Sequence, residues 1–154
     1  MIQSVSFEKT TYNEVPYKFE AGTPNIADVI GMGEAIRYLS AMDRKAAFAY
    51  EQELLTYATL QLQTIDGLKI IGTSPHKSSI ISFVLDGINA LDAGMFLDTK
   101  GIALRTGHHC TEPVMDFFRI PGTLRASFMF YNTKSEIDKM VETLREAIFL
   151  LKKK

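Results

Sequence analysis

Ser79-Ile80-Ile81-Ser82-Phe83-Val84-Leu85 is the stretch from which the rest of the chain is read. It is apolar and rich in β-branched residues. Gly72-Thr73-Ser74-Pro75 lies shortly before it and Asp86-Gly87 directly after, so it is too short for a helix and reads as a buried strand between turns. Working outward, Leu68 to Ile71 is a second short strand, and Ala90 to Thr99 reads as a helix ended by Gly101. Ile102 to Arg105 is expected to be a strand, 106–112 a polar loop, Pro113 to Phe118 a short helix and Leu124 to Tyr131 another strand. Thr133 and Glu136 have capping-box spacing, and Ile137, Met140, Val141, Leu144, Ile148 and Leu151 form one apolar helical face. Lys152, Lys153 and Lys154 complement the C-terminal dipole of that helix.

On the N-terminal side, Ala47, Tyr50, Leu54, Tyr57, Ala58, Leu62 and Ile65 recur at helical spacing, with Asp43 as cap and Asp66-Gly67 as stop. Ile26 to Leu39 reads as a largely buried helix, with Thr23 as cap and Pro24 as first helical residue. Residues 1–20 read as an arm in which Ile2, Val5 and Phe7 suggest a short extended segment. Strands interleaved with amphipathic helices predict an α/β chain built as a two-layer α/β sandwich. The division expected is 1–40 as one segment and 41–154 as the domain proper.

The bulk numbers exclude several classes. The chain has 154 residues, 46% hydrophobic and 23% charged, as a globular domain does. No run of about 18 apolar residues exists to span a membrane, and the N-terminus does not resemble a signal peptide. A net charge of −1 gives no reason to expect nucleic acid or an anionic membrane as partner. The single cysteine, Cys110, leaves a free thiol and fits a reducing, cytoplasmic compartment.

Chemistry concentrates in Leu104-Arg105-Thr106-Gly107-His108-His109-Cys110, with Arg125 fifteen residues beyond the thiol. Cationic neighbours favour the nucleophilic thiolate, and arginine offers a planar fork for a carboxylate. A thiolate beside two arginines suits attack on an amino acid. Three other readings stay open: an inert buried cysteine, a zinc site using Cys110 and His76, and surface arginines paired with acids. Zinc is disfavoured because His108, His109 and Cys110 are adjacent, whereas zinc ligands come as separated pairs.

Phe19-Glu20-Ala21-Gly22-Thr23-Pro24-Asn25, Arg105 to Cys110 (RTGHHC) and Leu124 to Thr133 (LRASFMFYNT) resemble, in order and separation, the C-terminal part of SufS-type cysteine desulfurases. These are class V, fold-type I pyridoxal-phosphate enzymes. The resemblance implies the small C-terminal domain of that fold, with residues 1–40 as a remnant of the large cofactor domain. It implies that Cys110 takes sulfur from L-cysteine as a persulfide, leaving L-alanine, for iron–sulfur cluster assembly. Arg125 would clamp the substrate carboxylate, with Arg105 as a second arginine at the substrate site. Thr23, helped by Gly22, would reach the pyridoxal 5'-phosphate of a partner subunit in a homodimer. His108 and His109 would shape the field around the thiol, with no metal; His108 is alternatively a proton carrier. The fourteen residues 111–124 between Cys110 and Arg125 resemble the short cysteine loop of enzymes that need a SufE- or SufU-like sulfur acceptor. Selenocysteine lyase activity and a non-catalytic sulfur-carrier module are the alternatives.

The family's Schiff-base lysine is expected in a preceding segment, the missing N-terminal cofactor domain. Ser74-Pro75-His76-Lys77 resembles the family's His-Lys motif only superficially, and Lys77 is read as a turn lysine. The chain is therefore expected to be a truncated portion, inactive and without bound cofactor when alone. Its apolar residues at positions 1–40 are expected to make it a homo-oligomer or leave a mobile arm.

Overall fold

Alternation along the firmest strand sets the core. In the computed structural model, which describes residues 1–152, β4 runs Ile80–Leu85. Ile81, Phe83 and Leu85 are buried on one face, while Ser82 and Val84 turn to the other. β3 (Leu68–Ile71) pairs with β4, β4 with β6 (Thr123–Ser127), and β6 with β5 (Arg105–Gly107). The sheet order is β3-β4-β6-β5 and each pairing is antiparallel.

Three helices supply residues to the same core: α2 (Arg44–Gln63), α3 (Ala90–Thr99) and α5 (Lys134–Leu151). Leu54, Ala58 and Leu62 of α2, Leu97 of α3 and Ile137 and Leu144 of α5 cluster with Ile81, Phe83 and Leu124. The result is the expected two-layer α/β sandwich. The capping box of α5 is present as read: Glu136 N–H donates to the Thr133 hydroxyl, and the Thr133 N–H donates to the Glu136 carboxylate at 2.8 Å. Lys152 caps that helix through its backbone N–H to the Ile148 carbonyl; Lys153 and Lys154 lie outside the described residues.

The strand expected over 102–105 is displaced toward the loop, because Arg105, Thr106 and Gly107 are the residues in register with Arg125, Leu124 and Thr123. Ile102 and Leu104 instead pack on the core cluster. The strand expected to run to Tyr131 ends at Ser127. A turn then forms in which the Asn132 side chain accepts from the Met129 N–H. The short helix α4 (Glu112–Phe118) includes Pro113 in its first turn.

The chain divides into two compact units, Met1–Arg44 and the residues from Lys45 on. The first contains a hairpin of β1 (Ile2–Val5) and β2 (Thr10–Tyr12), and helix α1 (Ile26–Ala41). Two expectations for α1 are corrected. Asn25, not Thr23, is its cap, accepting from the Asp28 N–H at 3.3 Å; asparagine is among the strongest residues at that position. The helix is not buried: none of its residues is, and Ile26, Val29 and Ile30 are each more than half exposed. Apolar residues lie on all its sides, so burial would need partners all round, and the described residues supply none.

α3 lies unusually close to β5. A Cβ added at Gly94 would stand 2.3 Å from Cγ2 of Thr106, and the branched threonine side chain is stiff. We expect Gly94→Ala to destabilise the fold by about 1–3 kcal/mol through overpacking. A urea midpoint unchanged from the parent chain would contradict this.

Candidate active site

Arg105 and Arg125 are direct cross-strand partners, and Ser82 pairs with Arg125 from the other side. Directly opposed residues share a face, so Ser82, Arg125 and Arg105 form one row on the face opposite the core helices. Like charges placed opposite each other are unfavourable. Neither guanidinium forms an ion pair among the described residues, and Nε of Arg125 is buried without a hydrogen-bond partner.

From β5 the chain passes through Gly107, at φ +105°, into the thiol loop. His109 and Cys110 both adopt left-handed conformations, at φ 56° and 57°. For non-glycine residues this costs on the order of 1 kcal/mol or more each. Local bonds shape the turn: the Cys110 N–H donates to Nδ1 of His108 at 3.3 Å, and the Thr111 hydroxyl and N–H both donate to the His108 carbonyl. His108 also stands 3.9 Å from the Glu112 carboxylate. The Cys110 side chain is exposed, which removes the inert-core reading. Among the described residues no three His, Cys, Asp or Glu side chains gather as a metal site would require.

His109 turns back to the sheet. Its Nε2 lies 2.9 Å from the hydroxyl of Thr123, while its Nδ1 is buried without a partner. Burial, then the Arg125 guanidinium, push its pKa below the usual histidine value; a hydrogen bond to the Thr123 backbone opposes this, and Arg105 and His108 add to the depression. His109 therefore lies within electrostatic reach of both arginines, and the loop brings its neighbour Cys110 to the same end of the sheet. Thr123 escaped the motif reading. The signal was available as spacing: two residues before Arg125 on a strand, it must share Arg125's face.

In the first unit, Gly22 sits at φ +76° with nothing within 4 Å of an added Cβ, and the Thr23 hydroxyl is exposed with no hydrogen bond among the described residues. They line an open cavity of about 680 Å³ with Met1, Asn13, Tyr17, Glu20 and Asn25. A free hydroxyl beside an open backbone at the start of a helix fits the phosphate end of pyridoxal phosphate in donor chemistry. Lys77 is a turn lysine, its ammonium donating to the Gly72 carbonyl at 3.2 Å in the β3–β4 connection.

Residues 1–140 match the family model described as aminotransferase class-V. A cysteine desulfurase of Synechococcus elongatus is 46% identical over 145 residues, 94% of this chain and 23% of the relative. A probable cysteine desulfurase of Xylella fastidiosa is 42% identical over 151 residues, 98% of this chain and 36% of the relative. Among solved structures, the cysteine desulfurase CsdA (S-sulfonic acid) of Escherichia coli superposes with a TM-score of 0.86 at 38% identity, covering 98% of this chain and 37% of that one. The chain thus spans well under half the length of the proteins it matches.

The His109 environment has a pH consequence. With its folded pKa lowered, the unfolded chain binds the extra proton first as pH falls. Stability from this group is complete above the ordinary value of about 6.5 and declines as pH drops through it toward the lower folded value. Urea midpoints at pH 7.5 and 5.5 should differ more for the parent chain than for His109→Gln; equal losses would refute the assignment.

Proposed function

This chain belongs to the aminotransferase class-V family, and on that premise we propose that it carries the sulfur-accepting portion of a cysteine desulfurase. The observation that carries the reading is the row of Arg105 and Arg125. Two unpaired guanidiniums opposed across one strand pair call for an anion between them. A substrate carboxylate supplies it and places the rest of an amino acid at the end of the sheet where the Cys110 loop begins. The naming of the similar proteins as cysteine desulfurases supports the same substrate.

In this reading the units divide the work. Residues from about 41 on form the small domain that carries the thiol, and residues 1–40 belong with the large cofactor domain. Gly22 and Thr23 would hold the phosphate of pyridoxal 5'-phosphate, in a homodimer from the partner subunit. That cofactor, when bound, supplies the sink for the electron pair released at the substrate carbon.

The chain's own residues do the rest. Arg105 and Arg125 grip the carboxylate and orient L-cysteine. The Cys110 thiolate attacks the substrate sulfur: an S–S bond forms, the C–S bond breaks with its electron pair leaving on carbon, and that carbon takes a proton. The balance is L-cysteine plus thiol giving L-alanine plus enzyme persulfide. The exposure of Cys110 suits onward transfer of the outer sulfur to an acceptor thiol. Residues 111–124, half of them in α4, keep that loop short, which supports the SufS type, a SufE- or SufU-like acceptor and a role in iron–sulfur cluster assembly in the cytoplasm. The clamp reads the acid end only, so L-selenocysteine fits it equally.

The test joins this chain to the cofactor-bearing N-terminal portion of the Synechococcus relative and measures alanine release from L-cysteine. We expect turnover, its loss in Cys110→Ser, and a fall in kcat/KM of about 100-fold or more in Arg125→Gln, as for removal of a charged bidentate contact. The 154-residue chain alone should release none. Persulfide on Cys110 from an external donor, with no turnover in the joined protein, would favour the sulfur-carrier module instead.

A further inference from the structure

We propose that Thr123 is a positioning residue for the thiol, acting through His109 to fix where Cys110 stands relative to the arginine row. The inference rests on the reading of Cys110 as nucleophile and Arg105 and Arg125 as its carboxylate clamp.

Thr123 is 1% exposed, yet it stands on the open face of β6, two residues from Arg125. Its cross-strand partner is Gly107. That glycine has no side chain, and neighbouring Gly122 allows β6 to approach it closely: a Cβ at Gly122 would lie 2.9 Å from the Gly107 carbonyl carbon. The two glycines leave Thr123 open to a residue arriving from beyond β5. His109 is that residue, with Nε2 2.9 Å from the Thr123 hydroxyl across fourteen positions of sequence. Among the described residues, Thr123 is the one sheet residue to which a side chain of 108–111 is hydrogen-bonded. The remaining bonds of the loop, those from Cys110 and Thr111 to His108 and the long contact of His108 with Glu112, are internal to it or to α4.

The bond is placed where the backbone needs it. His109 and Cys110 are consecutive left-handed residues, a conformation that persists only when its surroundings hold it. Fixing the imidazole on Thr123 fixes the backbone of one member and so the departure direction of the next. Without the hydroxyl the loop keeps its local turn but loses its reference to the sheet, and with it the alignment of thiol and guanidiniums.

The test uses two alkylating reagents on the 154-residue chain. Iodoacetate carries a carboxylate and iodoacetamide does not, so the ratio of their rates at Cys110 reads how close the thiol lies to the arginines, corrected by the ratio on the urea-unfolded chain. We expect the folded chain to favour iodoacetate, Arg125→Gln to lower the ratio at least threefold, and Thr123→Val to lower it comparably with both arginines intact. Thr123→Ser, which keeps the hydroxyl, should stay within about 1.5-fold of the parent. Urea midpoints for all variants separate this from loss of the fold. If Arg125→Gln lowers the ratio and Thr123→Val does not, or if Thr123→Ser behaves like Thr123→Val, the positioning role is wrong while the clamp stands. If Arg125→Gln leaves the ratio untouched, the clamp itself is wrong. A Thr123→Val effect matched by a fall in urea midpoint that Thr123→Ser shares would reduce Thr123 to a packing residue.

Discussion

The pairing of β5 with β6 is the constraint on which the rest depends. Its register sets Arg105 against Arg125, Thr106 against Leu124 and Gly107 against Thr123. Because side chains alternate, a slip of one residue would send the guanidiniums toward the hydrocarbon core and the apolar residues to the open face. Two close approaches hold the register. α3 presses on Thr106 at Gly94, and Gly107 meets Gly122 backbone to backbone. The core side, with Leu124 and Ala126 buried under the helices, thus stabilises an arrangement that is electrostatically unfavourable on the other side. Conformations that cost free energy tend to collect at functional positions, and here the repulsion lies on one short strand pair.

Much of this was legible because the core obeys simple periods. The alternation of Ser79–Leu85 and the apolar stripe of Ile137, Met140, Val141 and Leu144 each have one interpretation, and both hold. The motif from Arg105 to Cys110 singled out the thiol and its arginines from residue chemistry alone. Failures came where a long-range partner overrules local preference. Ile102 and Leu104 look like strand residues but spend their apolar surface on the core cluster, and the ladder begins only at Arg105, opposite Arg125. Asn25 displaced Thr23 as the cap of α1 by a shift of two residues, a distinction that composition cannot make. Thr123 lay hidden because its importance comes from a contact across fourteen residues, which no local pattern encodes.

Helix α1 follows different rules from α5. Four of the buried residues of α5 recur at positions 137, 140, 141 and 144, one face of a surface helix. In α1 the apolar residues Ile26, Val29, Ile30, Met32, Ile36 and Leu39 surround the axis, and all are at least half exposed. A helix apolar all round is the type found within a larger core. This sits well with a chain that covers 36% to 37% of the Xylella relative and the Escherichia coli structure. The hairpin residues Val5 and Phe7, also exposed, repeat the pattern.

The thiol loop joins these considerations. In the proposed reading, a cysteine on a freely moving loop would meet substrate and solvent alike, whereas one packed into the sheet could not pass sulfur on. The structure takes neither course. Cys110 is exposed, but the residue before it is anchored: His109 is drawn to Thr123, partly buried and held near two guanidiniums that disfavour its protonation. Disfavouring the imidazolium limits the positive charge added beside the arginine row. Anchoring one residue while leaving the next in solvent makes the loop at once held and accessible, as the proposed function requires, and that combination follows from two left-handed residues, one hydroxyl and a glycine in the strand opposite it.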